Sequence, residues 1–104
     1  MTKQYSQRDP NRCPPHPGGL IREFAIPDAG KSKAQIAKDL GISRQHLYDI
    51  SDEKRPITPA VALRLAKYFG GSATIYVAMQ AKHDLWKAER EVDLSEVPEL
   101  GAVG

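Results

Sequence analysis

A sharp turn between two short helical segments, within residues 33–50, constrains the fold of this chain more than any other feature. Two helices that meet at a steep angle need a small residue where their backbones approach, and Ala37 occupies that place. Four residues later the turn requires a positive φ, which glycine adopts at little cost, and Gly41 stands there. Aliphatic residues recur where they would face one core: Ile36, Leu40, Ile42, Leu47 and Ile50. The segment therefore predicts a helix-turn-helix over residues 32–51, and a helical hairpin that does not contact DNA is the alternative.

Cap and stop signals define the helices at the start of the chain. A first helix begins near Pro17 and is closed by Pro27 and Gly30, because proline suits the first turn of a helix and interrupts its interior. Ser32 and Gln35 have the spacing of a capping box, in which the serine hydroxyl and the Gln35 side chain each satisfy a backbone N–H of the other residue. A second helix therefore starts directly after Ser32.

The same signals continue through the second half of the chain. Ser43 caps the second helix of the motif, and Thr58 caps a further helix that ends at Gly70. Ser72 caps a last helix that runs to about Glu89. Because the chain has no convincing strand pattern, we expect an all-α fold with five helices.

Composition divides the chain into three parts. Residues 1–15 are polar and proline-rich, which predicts a flexible arm; residues 16–92 carry the helical pattern; and residues 93–104 are predicted to form an acidic flexible tail. Residues 1–88 contain fourteen basic and eight acidic residues, whereas residues 89–104 contain one basic and five acidic residues. A basic body of this kind favours a polyanionic partner.

Several functional classes find no support in the sequence. Since no apolar run approaches the ~18 residues that span a bilayer, we expect a cytoplasmic protein without membrane contact. Cys13 is the single cysteine, and His16, His46 and His83 lack the spacing of metal ligands on one helix face. The sequence also shows no set of nucleophile, base and orienting residue, and no glycine-rich phosphate loop. We expect no enzyme activity, no metal and no cofactor.

In a DNA-binding helix-turn-helix, the second helix presents its outward N-terminal residues to the major groove, and we expect this role here for Arg44, Gln45, His46 and Tyr48. Arginine can bind two acceptors on guanine and glutamine can bridge adenine, so Arg44 and Gln45 suit the reading of base edges. Lys33, at the start of the preceding helix, is placed to meet a phosphate. The full predicted DNA-binding set is Lys33, Gln35, Ser43, Arg44, Gln45, His46, Tyr48, Lys54 and Arg55.

The last helix carries large apolar residues beyond those that a small core can cover. An exposed tryptophan and methionine patch would be a liability in a monomer, so the pattern predicts a homodimer. The predicted dimerisation residues are Tyr76, Met79, Leu85 and Trp86.

Several short motifs follow one another in a fixed order along residues 16–92. Around the helix-turn-helix they are His16-Pro17-Gly18, Arg22-Glu23, Ile26-Pro27, Ile57-Thr58-Pro59-Ala60, Ala62-Leu63-Arg64-Leu65-Ala66, Phe69-Gly70, Met79-Gln80 and Asp84-Leu85-Trp86. This arrangement resembles the HigA-type antitoxins, a branch of the Xre/Cro repressor group whose members are also known as VapI or plasmid-maintenance antidote proteins. The resemblance implies a lambda-repressor-like domain.

The resemblance also implies a function. A protein of this type is a dimeric antitoxin that binds double-stranded operator DNA and represses its own operon. It neutralises a cognate HigB toxin, a RelE-like nuclease that cleaves mRNA on the ribosome. We expect the toxin to contact the arm, residues 1–15, and the faces that point away from the DNA.

One departure from the family pattern leaves alternatives open. Where relatives carry Asn-Gly after the recognition helix, this chain has Asp52-Glu53, which removes a turn glycine and places two acids where a phosphate would approach. Lys54 and Arg55 follow immediately and can restore the attraction. This departure is the only support for one alternative, an interaction module that neutralises a partner but has lost DNA binding. The other alternative, a stand-alone repressor without a toxin partner, does not depend on it.

Overall fold

The computed structural model of the chain describes residues 11–102 and shows five helices. They are α1 (residues 18–29), α2 (Lys33–Leu40), α3 (Arg44–Ser51), α4 (Pro59–Phe69) and α5 (Ala73–Glu91), and a 3-10 turn follows at Leu100–Ala102. Within residues 11–102 the backbone forms no strand, so the predicted all-α architecture with five helices is confirmed. None of these helices has the length and apolar character needed to cross a membrane.

Helix α1 continues through Pro27, which the sequence analysis placed at its end. Its consecutive parts are an α-helical turn, a π-helical turn and a final α-helical turn, at Gly18–Leu20, Ile21–Ala25 and Ile26–Ala29. In the π turn the Ile26 N–H donates to the carbonyl of Ile21, five residues earlier. A proline ring inside a regular α-helix collides with the carbonyl four residues before it, and the wider turn relieves this collision. The helix therefore ends only at Gly30, which has a left-handed φ of 67°.

Hydroxyl side chains cap the other four helices as predicted. Backbone N–H groups near each helix start donate to the side chains of Ser32, Ser43, Thr58 and Ser72. The predicted capping box is only half formed, because the Gln35 amide donates to Asp39 Oδ1, at 2.7 Å, rather than turning back to Ser32. The last helix is two residues longer than expected and ends at Glu91.

All five helices contribute to one hydrophobic core. The buried apolar residues are Ile21, Ile36, Ala37, Leu40, Leu47, Ile50, Ile57, Val61, Ala62, Leu65 and Tyr76. Tyr76 is 9% exposed, so its side chain is covered by its own chain rather than left for a partner. This corrects the reasoning that included Tyr76 among the apolar residues in excess of the core.

The chain ahead of α1 packs against α5. The ring of His83 donates from Nδ1 to the carbonyl oxygen of Pro14, at 2.8 Å, and meets the ring of His16 edge to face, with centroids 5.1 Å apart. The Cys13 Sγ atom lies 3.6 Å from the same Nδ1. Cys13 and Pro14 belong to the segment predicted as a flexible arm, residues 1–15, whose first ten residues lie outside the described chain.

Candidate nucleic-acid interface

The turn between α2 and α3 is closed by backbone hydrogen bonds at Gly41. Its N–H and the N–H of Ile42 donate to α2 carbonyls three and five residues earlier, at 3.1 and 3.0 Å, which is the pattern of a Schellman motif. Gly41 has a φ of 77°, and a Cβ atom there would also crowd the guanidinium of Arg64. That guanidinium donates to the Leu40 carbonyl at 3.0 Å. The turn therefore fixes the start of α3 relative to α2.

The opposite end of α3 is held against α1. A Cβ atom built on Gly18 would collide with the backbone carbonyl oxygen of Ile50, so the two backbones are in direct contact. The Gly18 N–H donates to His16 Nδ1 at 2.8 Å, which keeps the start of α1 in this position. Because Leu47 and Ile50 are fully buried on the inner face, α3 is fixed at both ends and its outer face is left to solvent.

Arg44 and Gln45 stand exposed in the first turn of α3. The Gln45 amide donates to Asp49 Oδ1 at 2.8 Å, so its side chain lies along the outer face of the helix. The Ser43 hydroxyl accepts the His46 N–H at 3.0 Å and so serves first as the helix cap. This end of α3 presents hydrogen-bonding groups of the kind that read base edges in a major groove.

Lys33 joins α2 to the outer face of α3. Its Nζ atom lies 5.4 Å from the centroid of the Tyr48 ring, within the range of a cation–π contact. Gln35 is directed elsewhere, because the Asp39 carboxylate that it binds also accepts the Tyr68 hydroxyl of α4, at 2.7 Å. The structure thus brings Lys33 together with Tyr48, and places Gln35 towards α4.

His46 and Arg55 lie close enough for their charges to interact. Partial burial lowers the pKa of His46 below its usual value, and the positive charge of Arg55 lowers this pKa further, against a smaller opposing effect from Asp49. The imidazole is therefore mainly neutral at pH 7. Lys54 and Arg55 are both exposed, so the segment after α3 adds positive charge beside the outer face of the helix.

The turn after α3 keeps a glycine-like backbone although it contains no glycine. Glu53 has a φ of 64°, and its N–H donates to the Ile50 carbonyl at 3.0 Å. The Lys54 N–H donates to the Asp49 carbonyl at 2.8 Å, which completes a second Schellman motif. The turn therefore forms although Asp52-Glu53 lacks the glycine that relatives carry there.

Arg22 on α1 stabilises this turn and partly neutralises its acids. Its guanidinium donates to the Ser51 carbonyl at 2.6 Å and to the Glu53 carboxylate at 3.2 Å, while its Nε donates to Glu23 at 2.9 Å. Both carboxylates raise the pKa of Arg22, which stays protonated. Sequence reasoning did not assign Arg22 to the site. Its only signal was its place in the Arg22-Glu23 motif.

Gln80 is a second residue that sequence reasoning did not assign. It is buried on α5, where its Oε1 accepts the Ile57 N–H at 2.9 Å and its amide donates to Asp84 at 2.9 Å. The Ile57 N–H precedes the cap of α4, so Gln80 anchors the end of the loop that carries Lys54 and Arg55. The Met79-Gln80 motif was its only sequence signal.

The four predicted dimerisation residues do not share one face of α5. At about 100° per residue, Tyr76 and Leu85 point to opposite sides of the helix. Tyr76 faces the core, whereas Leu85 is exposed and Met79 and Trp86 are partly exposed. Arg90 lies over the Trp86 ring, 3.6 Å from its centroid.

Residues 11–102 contain no cluster of histidine, cysteine and acidic side chains that could hold a metal ion.

The chain is similar to known helix-turn-helix proteins. A family model described as "Helix-turn-helix" matches residues 21–75. Virulence-associated protein I of Dichelobacter nodosus is 41% identical over 76 residues, which cover 73% of this chain and 70% of that protein.

Two solved structures share the fold. An addiction module antidote protein of a HigA family from Coxiella burnetii is 29% identical, with a TM-score of 0.68 over 85% of this chain and 100% of that chain. The Pseudomonas aeruginosa antitoxin HigA, solved with the higBA promoter, is 28% identical, with a TM-score of 0.69 over 84% of this chain and 98% of that chain.

Proposed function

The chain belongs to the helix-turn-helix family, in its Xre type, and from this premise we propose that it is the antitoxin of a type II toxin-antitoxin module. In this proposal a homodimer binds operator DNA, represses its own operon and neutralises a RelE-like toxin that cleaves mRNA. The related proteins are DNA-binding regulators and antitoxins rather than enzymes, and the fold is lambda-repressor-like. The protein acts in the cytoplasm, where its operator lies.

The observation that carries the proposal is the exposed first turn of α3, whose position is fixed by Gly41 at one end and by Gly18 at the other. A helix that contacts DNA bases must be held rigidly within its domain, because the side chains that contact bases must be placed to within a fraction of an ångström. The antitoxin HigA of the same fold was solved with promoter DNA, which supports DNA binding by a protein of this fold.

Within the proposed complex α3 enters the major groove. Arg44 and Gln45 contact base edges, whereas Lys33 meets a phosphate beside the N–H groups at the start of α2. His46 and Tyr48 face the major groove beside them. Lys54 and Arg55 extend the contact along the DNA backbone, with Ser43 and Gln35 at its edges. The ion pair between Arg22 and Glu53 reduces the repulsion between the turn after α3 and a phosphate.

The dimer and the toxin use the rest of the surface. We assign the dimer contact to α5, through Met79, Leu85 and Trp86, since Tyr76 is needed for the core. A two-fold dimer reads two half-sites, so the operator is expected to be palindromic. The domain is residues 16–92, and the toxin binds the arm, residues 1–15, and faces away from the DNA. The tail, residues 93–104, stays away from the duplex.

The test combines a gel shift with a growth assay. The full chain is titrated against the DNA upstream of its gene and against scrambled DNA, and it is coexpressed with the neighbouring toxin gene. We expect a shift on the upstream DNA and rescue of growth. Lys87→Ala, at an exposed base on α5, is the control and should change neither result.

The possible failures of this test differ from one another. A shift without rescue identifies a stand-alone repressor, and rescue without a shift identifies an interaction module that has lost DNA binding. If neither occurs, the proposed function is wrong.

A further inference from the structure

An open apolar groove runs between α4 and α5. It has a volume of about 410 Å³ and is lined by Pro59 and Leu63 from α4 with Ala73, Val77, Ala78 and Ala81 from α5. Leu63 is 66% exposed, although removing a leucine side chain from water lowers the free energy. The groove therefore has the character of a surface that another apolar segment covers.

The chain after α5 carries apolar side chains that residues 11–102 leave uncovered. Val92, Leu94 and Val97 are each more than half exposed, and Leu100 is 98% exposed. The segment nevertheless has local structure: Asp93 Oδ1 accepts the Ser95 N–H at 2.9 Å, and the Val97 N–H donates to the Leu94 carbonyl at 3.0 Å. The tail thus presents aliphatic side chains on a turn, without an apolar surface beneath them.

The geometry of α5 separates the groove from its own tail. A helix of 19 residues is about 28 Å long, and the groove lies along its first half while the tail leaves from its last residue. When two α5 helices pair in antiparallel fashion, the tail of each chain emerges beside the groove of the other. Leu85, which is exposed, lies on the same side of α5 as Ala81 and continues the groove towards the tail.

Charge favours the same pairing. The tail segment has an acidic residue at Asp93, Glu96 and Glu99, and residues 89–104 contain five acids against one base. Lys67 of α4 and Lys82 of α5 are exposed, and each lies four residues, about one helical turn, after a residue that lines the groove, Leu63 and Ala78 respectively. An acidic apolar segment thus has a complementary surface in an apolar groove with basic residues nearby.

From these observations we infer that the C-terminal segment, residues 92–102, of one copy docks into the α4–α5 groove of a second copy. The inference rests on the homodimer of the proposed function and deepens it, because it assigns the interface to an exchange of tails in addition to the contact between the two α5 helices. Each dimer then contains two symmetry-related copies of the contact.

The first experiment measures the dimer dissociation constant of the full chain by sedimentation equilibrium. Leu94→Ser with Leu100→Ser in the tail, and separately Leu63→Ser in the groove, should each weaken the dimer by about tenfold or more. Combining the tail and groove changes should weaken the dimer little more than either change alone, because both remove the same contact. The control is Phe24→Ser, which replaces an aromatic residue on α1 that is about as exposed as Leu63 and should leave the dimer unchanged.

A second experiment distinguishes docking between chains from docking within one chain. One variant carries Leu63→Cys and another carries Leu94→Cys, each with Cys13→Ser, and the two are mixed and oxidised. We expect a disulfide between the two different chains. When Leu63→Cys and Leu94→Cys are placed together in one chain, a disulfide that closes within a monomer would overturn the exchange of tails.

The outcomes separate this inference from the function on which it rests. An unchanged dissociation constant in both the tail and groove variants overturns the docking, while an intact operator shift and growth rescue leave the antitoxin proposal standing. Stable dimers should form at tens of micromolar protein. If the wild-type chain is still monomeric at that concentration, both the homodimer and the exchange of tails are wrong.

Discussion

The Arg22 guanidinium donates to the Glu53 carboxylate at 3.2 Å and so ties α1 to the turn that follows α3. Glu53 holds a φ of 64°, a left-handed conformation that costs a residue with a side chain about 1–2 kcal/mol. The ion pair and the Schellman bonds hold the residue there. An acid therefore occupies a glycine-like position without loss of the turn.

Replacing Glu53 by glycine should stabilise the protein. Glu53→Gly removes the left-handed strain and is expected to raise the free energy of unfolding by up to about 1 kcal/mol in urea titrations, because an exposed ion pair contributes little. Operator affinity should rise as well, since one acid leaves the DNA-facing turn. Asp52→Gly is the matched control: Asp52 has a φ of −86°, so glycine there should not stabilise. Equal loss of stability in both variants would contradict the strain argument.

Gly18 and Gly19 should respond very differently to alanine. Gly18→Ala forces a methyl group against the Ile50 carbonyl, whereas the nearest atoms to a Cβ on Gly19 are 3.6 Å away. Overpacking of this kind typically costs about 1–3 kcal/mol, so Gly18→Ala should lower the thermal midpoint and weaken operator binding. Gly19→Ala should change neither quantity appreciably. Wild-type stability in Gly18→Ala would show that α1 and α3 are not in the contact described.

Reading of bases and binding of phosphates should separate by mutation. Arg44→Ala or Gln45→Ala is expected to cost about 1–3 kcal/mol of discrimination at one base pair, while Lys33→Ala weakens binding to all sequences about equally. Gel shifts on operator and scrambled DNA measure both effects, and growth rescue by the antitoxin should survive all three changes. Unchanged operator preference in the Arg44→Ala Gln45→Ala double variant would show that α3 is not the helix that enters the major groove.

Operator affinity should fall steeply with salt, because bound lysine and arginine residues displace counterions from the DNA. Deleting residues 93–104 should leave the salt slope unchanged when the measurement is made at protein concentrations that keep the chain dimeric. Lys33→Ala provides the comparison, since the loss of one phosphate contact should reduce the slope by about one. A change of slope on deletion would mean that the acidic tail contacts the duplex.

Stability should fall in mild acid because of His16. Burial lowers the pKa of His16 in the folded protein, and the neighbouring His83 lowers it further. The unfolded chain then binds the proton more tightly, so the contribution of His16 to stability is complete above its ordinary pKa of about 6.5 and is lost as the pH falls below it. Protonation at Nδ1 also removes the acceptor of the Gly18 N–H.

Urea unfolding at about pH 7.5 and pH 5.5 tests this dependence on either side of the ordinary histidine pKa. In His16→Asn the side chain can still accept the Gly18 N–H but does not titrate, so the difference between the two conditions should shrink. An equal difference in the variant and the wild type would assign the acid sensitivity to another group.

Sequence reasoning succeeded where the structure depends on neighbouring residues. The caps at Ser43 and Thr58, and the left-handed turn at Gly41, each follow from a pattern a few residues long. It failed where the partner is distant: Arg22 and Glu53 are 31 residues apart, and Gln80 and Ile57 are 23 apart. No local pattern encodes such pairs.

The burial of Tyr76 and the π turn before Pro27 were missed for related reasons. Helical spacing shows that Tyr76 lies on an apolar face, but only the packed fold decides whether the core or a partner covers that face. Pro27 was predicted to end the helix because a proline clashes with the preceding turn of a regular α-helix. That prediction does not hold when the preceding turn is widened to a π turn.

The placement of Trp86 gives the protein a built-in optical probe. It is the only tryptophan in the chain, and it lies partly buried on α5 beneath the guanidinium of Arg90, on a different helix from Arg44 and Gln45. Its fluorescence emission reports the polarity around the C-terminal half of α5. Association of two chains through α5 should therefore shift the emission spectrum, while DNA that engages only α3 should leave it unchanged. The intrinsic fluorescence of Trp86 can thus distinguish dimerisation from DNA binding without an attached dye.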